Sequence, residues 1–93
     1  MNNFIKYAQY YNFLYRDKDY KKEANYVDRL IKRFTEKHSK TLLDVGCGTG
    51  SHAILFAKKG YQVVGIDRAR AMITIARNRM APGDRLEFCM GDI

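Results

Sequence analysis

Cysteine is scarce in this sequence. Cys47 and Cys89 are the two present, too far apart to form a CxxC motif and too few for a disulfide framework, so both are expected as reduced thiols. Long apolar runs are missing as well: no stretch approaches the ~20 residues that a bilayer span needs. Tyrosines and Lys6 occupy the start of the chain, where a signal peptide would carry a continuous apolar block. No membrane association and a cytoplasmic location are therefore expected. Internal repeats, low-complexity tracts and obvious linkers are absent too. A chain of 93 residues has room for one domain, which buries little more than ~60% of its unfolded surface, and this excludes a two-domain enzyme. Against these absences stand 46% apolar and 13% aromatic residues, enough for a packed core, with an ordinary 29% charged.

The net charge is +7, and its distribution decides what it implies. Residues 1–40 hold ten Lys/Arg against five Asp/Glu, and residues 41–93 hold seven against five. The excess is spread through helix-like sequence and forms no basic block, so a solvated helix face is preferred to a nucleic-acid surface.

Between residues 22 and 37, Ala24, Val27, Leu30, Ile31 and Phe34 recur at helical spacing. The tyrosine-rich stretch before it (Tyr7, Tyr10, Tyr11, Tyr15, Tyr20) has weak periodicity and fits a short helix followed by a loop at 16–19. After Ser39 the pattern changes. Residues 41–45 form a short apolar run ended by glycines, and residues 51–59 read as a helix closed by Gly60. The unit then repeats: a β-branched run at 61–66 precedes a helix at 71–80. Pro82, Gly83 and Asp84 mark a turn, after which Leu86, Phe88 and Met90 alternate with Glu87 and Cys89 as a third strand, Cys89 reading as a core residue. Strands alternating with helices predict an α/β fold: a βαβαβ half of a Rossmann-like, doubly wound parallel sheet, preceded by one or two helices.

The most specific segment is Leu42-Leu43-Asp44-Val45-Gly46-Cys47-Gly48-Thr49-Gly50, set between a predicted strand and a predicted helix. Alternating glycines let the backbone turn sharply and approach a ligand closely, and the helix opening near Ser51 favours an anionic group in the same space. Asp67 ends the second strand. Adjacent parallel strands bring their carboxyl ends together, so Asp67 should face the glycine loop, where a carboxylate can accept both hydroxyls of a ribose. Asp92, one strand further on, either reaches the exocyclic amine of a purine or is simply a loop carboxylate. His52 either touches a ligand carboxylate or is a surface or capping residue. Cys47 would contribute its backbone, and neither cysteine has a neighbouring base that would make it a nucleophile. A dinucleotide site competes, because Gly48, Gly50 and Ala53 also satisfy G-x-G-x-x-A. Asp44 argues against it, since a carboxylate there suits an ammonium group and repels a pyrophosphate.

From about Thr41 to Ile93 the sequence resembles the N-terminal half of a class I S-adenosylmethionine-dependent methyltransferase. Residues 42–50 are similar to the family's first motif, Gly65-Ile66-Asp67 with Met72 and Ala76-Arg77 to the second, and Gly91-Asp92-Ile93 to the third. The resemblance implies S-adenosylmethionine as cofactor and S-adenosylhomocysteine as product. Gly46 and Gly48 would approach the methionine moiety, with Cys47 and Gly50 of the same loop also binding the cofactor, Asp44 would contact its amino group, Asp67 would bind the ribose and Asp92 the adenine. Upstream, Tyr7-Ala8 through Tyr11-Asn12 and Leu14-Tyr15 resembles a tyrosine-rich lid of small-molecule members, including amino-sugar methyltransferases, in which Tyr11 would close over the cofactor. A structural role for these tyrosines fits equally well.

Three positions depart from the family. Arg68 stands where an apolar residue usually meets adenine, although a guanidinium can stack on a base. Ala69 replaces a usual Ser and removes a helix cap contributing ~1 kcal/mol. Asn12 stands where Asp is common. The implied organisation is a helical lid or cap at 1–40 and a partial cofactor-binding domain at 41–93. The implied function is methyl transfer to a small-molecule acceptor, with a non-catalytic cofactor-binding fragment or part of a nucleic-acid methyltransferase as alternatives. Acceptor-binding parts come later in the family's chain, so no catalytic residue can be named. If the usual strand order 3-2-1 holds, the first strand, normally covered by a fourth, would be an open apolar edge, which predicts self-association through it or a longer natural protein.

Overall fold

The computed structural model describes residues 19–35 and 40–92. Among these residues, three helices and three strands follow one another as α1 (Tyr20–Phe34), β1 (Thr41–Val45), α2 (Ser51–Lys58), β2 (Gln62–Asp67), α3 (Arg70–Asn78) and β3 (Leu86–Met90). All three strands are parallel, in the order β1-β2-β3, with Leu42 opposite Val63 and Val63 opposite Leu86. This is the predicted α/β architecture. Element ends differ from the expected ones by up to three residues, as helix ends do where the last turn frays. The tyrosine-rich segment, with Tyr11 and Asn12, lies outside the described residues.

Local chemistry explains where the helices begin and end. The Asp19 side chain caps α1 by accepting from the Lys22 N–H at 2.9 Å, Glu23 lies in its first turn, and Lys32 and Arg33 lie in its last. At the end of α2 the Gly60 N–H donates to Ala57 O and the Tyr61 N–H to Phe56 O, a Schellman motif. Its accompanying apolar contact is the edge-on packing of Tyr61 on Phe56, ring centres 5.6 Å apart. The sharp return into β2 is built from that pairing. Ala69, at the start of α3, makes no side-chain cap, as its sequence predicts.

Strand alternation gives the sheet two unlike faces. On one, Val63, Leu86 and Phe88 pack with Ala53, Ile54 and Phe56 of α2, Ile73 and Ala76 of α3, and Ala24 of α1 into the main core. On the other, Leu43 and Val45 are 58% and 53% exposed, while Val64, Ile66 and Cys89 are half-buried. Cys89 is therefore not the core residue expected from its strand, because it alternates onto this open face.

Helix α1 corrects a second expectation. Only Ala24 and Ile31 of its apolar set face the core: Val27 and Leu30 are exposed and Phe34 is 73% exposed. These two dock together with Asp28, where alanine's small size permits close approach and a polar pair replaces part of the apolar contact. Asp28 is buried and accepts from the Tyr61 hydroxyl at 2.5 Å, with the Lys32 ammonium 3.1 Å away. The Tyr61 hydrogen bond holds the Asp28 carboxyl below its ordinary range, and burial together with Asp28 pushes the Tyr61 phenol up to about 12. No helix among the described residues is long and apolar enough to cross a membrane.

Candidate functional site

The loop joining β1 to α2 carries the glycines singled out by sequence, and they divide into two kinds. Gly46 and Gly48 have φ of +72° and +58°, and a Cβ on either would meet nothing within 4 Å. They face open space. Gly50 and Gly65 have no such freedom: a Cβ on them would lie 2.6 Å and 2.7 Å from the Phe88 ring. Gly65, in β2, is glycine because Phe88 packs against it, and Gly50 because of that ring and its own φ of +85°.

Hydrogen bonding shows how the loop is shaped. The Gly46 and Cys47 N–H groups both donate to Ile66 O, at 2.7 and 3.0 Å, and the Gly50 N–H donates to Cys47 O at 3.0 Å. The Gly48 N–H donates to Asp67 Oδ2 at 2.9 Å, and the Ala69 N–H to Asp67 Oδ1, also at 2.9 Å. Asp67 therefore faces the glycine loop from the neighbouring strand, as the topology required. Each of its oxygens retains a second acceptor site.

Asp44 pairs with Gly65 across the sheet and is half-buried. Burial raises its pKa above 3.8; nearby His52 opposes that shift and Asp67 adds to it. Two carboxylates thus give the site negative character. The Cys47 thiol, desolvated and close to Asp44 and Asp67, is pushed up to about 12 and stays protonated at neutral pH. Arg68 and Asp92 are exposed. Asp92 follows Gly91, whose N–H donates to Asp67 O at 3.1 Å, so it lies one strand beyond Asp67.

His52 neither caps α2 nor stands free. Its Nε2 is 2.9 Å from Glu23 Oε1 on α1, and its ring packs edge-on against Tyr20, centres 4.9 Å apart. Tyr20, residues 46–49, Ser51 and His52 line a cleft of about 80 Å³. Tyr20 was legible only as one of many tyrosines. Arg79 was missed altogether: it lies far along the chain, yet its Nη1 donates to Thr49 O at 2.8 Å.

Comparison with known proteins agrees with this geometry. A methyltransferase domain family model matches residues 42–93. A dTDP-3-amino-3,4,6-trideoxy-alpha-D-glucopyranose N,N-dimethyltransferase from Streptomyces venezuelae is 35% identical, the match covering 94% of this chain and 39% of that protein. A ubiquinone biosynthesis O-methyltransferase from Hydrogenovibrio crunogenus is 51% identical over 50% of this chain and 20% of its own length. Among solved structures, Streptomyces venezuelae DesVI superposes with a TM-score of 0.77 at 36% identity, over 92% of this chain and 36% of that one. CalS10, an amino pentose methyltransferase from Micromonospora echinaspora solved with S-adenosylmethionine bound, gives 0.73 at 36% identity, over 90% and 34%. The chain thus spans roughly a third of the length of these two structures. With the family model covering more than half of it, the chain belongs to the class I S-adenosylmethionine-dependent methyltransferases.

Proposed function

We propose that this chain is the cofactor-binding part of an S-adenosylmethionine-dependent methyltransferase acting on a small molecule. The observation that carries the reading is the Asp67 carboxylate, fixed by two backbone N–H groups at 2.9 Å with acceptor sites to spare, beside glycines that open onto empty space. A ribose diol fits those sites. Asp44 supplies a negative charge for the ammonium of the methionine moiety, Gly46, Cys47 and Gly48 leave room for its chain, and Asp92 with Arg68 would meet adenine one strand further on.

A dinucleotide fits poorly for a reason visible in the loop. The N–H groups of Gly46, Cys47, Gly48 and Gly50 are spent on protein acceptors, and two carboxylates stand nearby. A diphosphate would meet like charge where it needs donors. The cofactor would supply an electrophilic methyl on a sulfonium. The chain's own residues bind and orient it, and the protonated Cys47 thiol is no methyl-accepting nucleophile. Relatives named as an amino-sugar N,N-dimethyltransferase and a ubiquinone biosynthesis O-methyltransferase support a small-molecule acceptor.

Crystals soaked with S-adenosylmethionine provide the test. Density for a nucleoside with its diol on Asp67 and its amino group toward Asp44 is the expected result. An empty crevice, or a diphosphate-type ligand preferred in competition, contradicts the reading.

A further inference from the structure

We propose that Arg79 is a positioning residue for the glycine loop and, through it, for the bound cofactor; the second part rests on the function proposed above. Arg79 follows the last residue of α3 and does not line the cleft. Its Nη1 nevertheless lies 2.8 Å from Thr49 O, 3.3 Å from Thr49 Oγ1 and 3.1 Å from Ser51 Oγ. Thr49 O and the Gly50 N–H belong to one planar peptide unit. Arg79 holds the oxygen end of that plane, and Cys47 O holds the N–H end at 3.0 Å. The plane comes just before Gly50, whose φ is +85°, and before the first residue of α2.

This restraint matters because glycine-rich loops have the most backbone freedom to lose. On one side Asp67 holds the Gly48 N–H. On the other, the Arg79 guanidinium reaches both Thr49 and Ser51. The backbone of Arg79 is fixed where α3 ends, its N–H donating to Ala76 O at 3.1 Å, and two residues earlier Arg77 donates from Nε and Nη2 to Phe88 O at 3.1 and 2.8 Å, the Phe88 ring lying under Gly50. The end of α3 is thus a bracket that sets the loop from behind, while the ligand-facing side stays open.

The test compares the wild-type chain with Arg79→Met, Ser51→Ala and the double variant. Two quantities are read: amide exchange at Gly48 and Gly50 without ligand, and the dissociation constant for S-adenosylhomocysteine by calorimetry. Arg79→Met should speed exchange at Gly50 and weaken binding by about tenfold or more, the usual scale for losing a charged hydrogen bond. Ser51→Ala should speed Gly50 exchange in the wild-type background and add less to Arg79→Met, since its own bond to the guanidinium is then already gone. If Arg79→Met lowers Tm but leaves Gly50 exchange and the dissociation constant within about twofold, Arg79 is only structural and the proposal falls. Additive effects overturn it too. Should Arg79→Met fail to fold, Arg79→Gln, whose shorter neutral side chain gives up the charged bond to Thr49 O, is read in its place; unchanged Gly50 exchange and affinity would then contradict the proposal. A wild-type chain that binds no S-adenosylhomocysteine overturns the proposed function instead, and the exchange rates still decide the role of Arg79 in the loop.

Discussion

At the scale of single residues, Asp44 is the group whose stability and function pull apart. Burial raises its pKa, so the ionised form is disfavoured in the fold, and the stability linked to it is fullest below 3.8 and is lost as pH rises through the higher folded value. Asp44→Asn should therefore raise the Tm of the ligand-free chain at pH 7 and flatten its dependence above pH 4. The same change should weaken S-adenosylhomocysteine binding by about tenfold, through loss of a charge-assisted contact. A scan showing a lower Tm would contradict the burial argument. Cys47, with its thiol pushed up to about 12, carries little thiolate at pH 8. In a Cys89→Ser background, iodoacetamide should label it at least about a hundredfold more slowly than free cysteine, as followed by mass spectrometry. Asp44, Cys47 and Asp67 were all legible in the sequence because motif spacing places them. Tyr20 and Arg79 were not, because they reach the loop through tertiary packing from distant positions.

At the scale of elements, the contact between loop and sheet depends on Phe88. Gly65→Ala would put a Cβ 2.7 Å from that buried ring, and an overpacked core of this kind costs about 1–3 kcal/mol. Phe88→Leu should recover part of that loss when combined with Gly65→Ala, measured by urea unfolding, although alone it destabilises. Docking of α1 rests on Asp28 and Tyr61. Tyr61→Phe leaves the buried carboxylate without its phenol donor and should cost about 1–3 kcal/mol at neutral pH. The depressed Asp28 pKa makes its contribution present above 3.8 and lost as pH falls through the lower folded value, so Tyr61→Phe should also lessen acid sensitivity. Tyr61 itself contributes below pH 10, and that contribution is lost as pH rises toward about 12. Helix periodicity located α1 but not its buried side. Val27, Leu30 and Phe34 outrank Ala24 and Asp28 in apolarity, and only the partner surface reveals that close approach and a phenol decide the docking.

At the scale of the whole molecule, alternation of helix and strand made the order, parallel direction and pairing of β1, β2 and β3 readable, because crossover rules leave few choices. Burial was less readable, since the second sheet face carries Leu43 and Val45 in the open and Cys89 half-buried. Among the described residues β1 pairs only with β2. We expect the 93-residue chain to associate through that edge, and light scattering that shows a stable monomer would count against it. The central claim concerns what the glycine loop and Asp67 hold together. Calorimetry of this chain with S-adenosylhomocysteine and with NAD tests it most directly. Binding of the first, no detectable heat with the second, and loss of binding in Asp67→Ala are the predicted results; NAD binding, or indifference to Asp67→Ala, would contradict them.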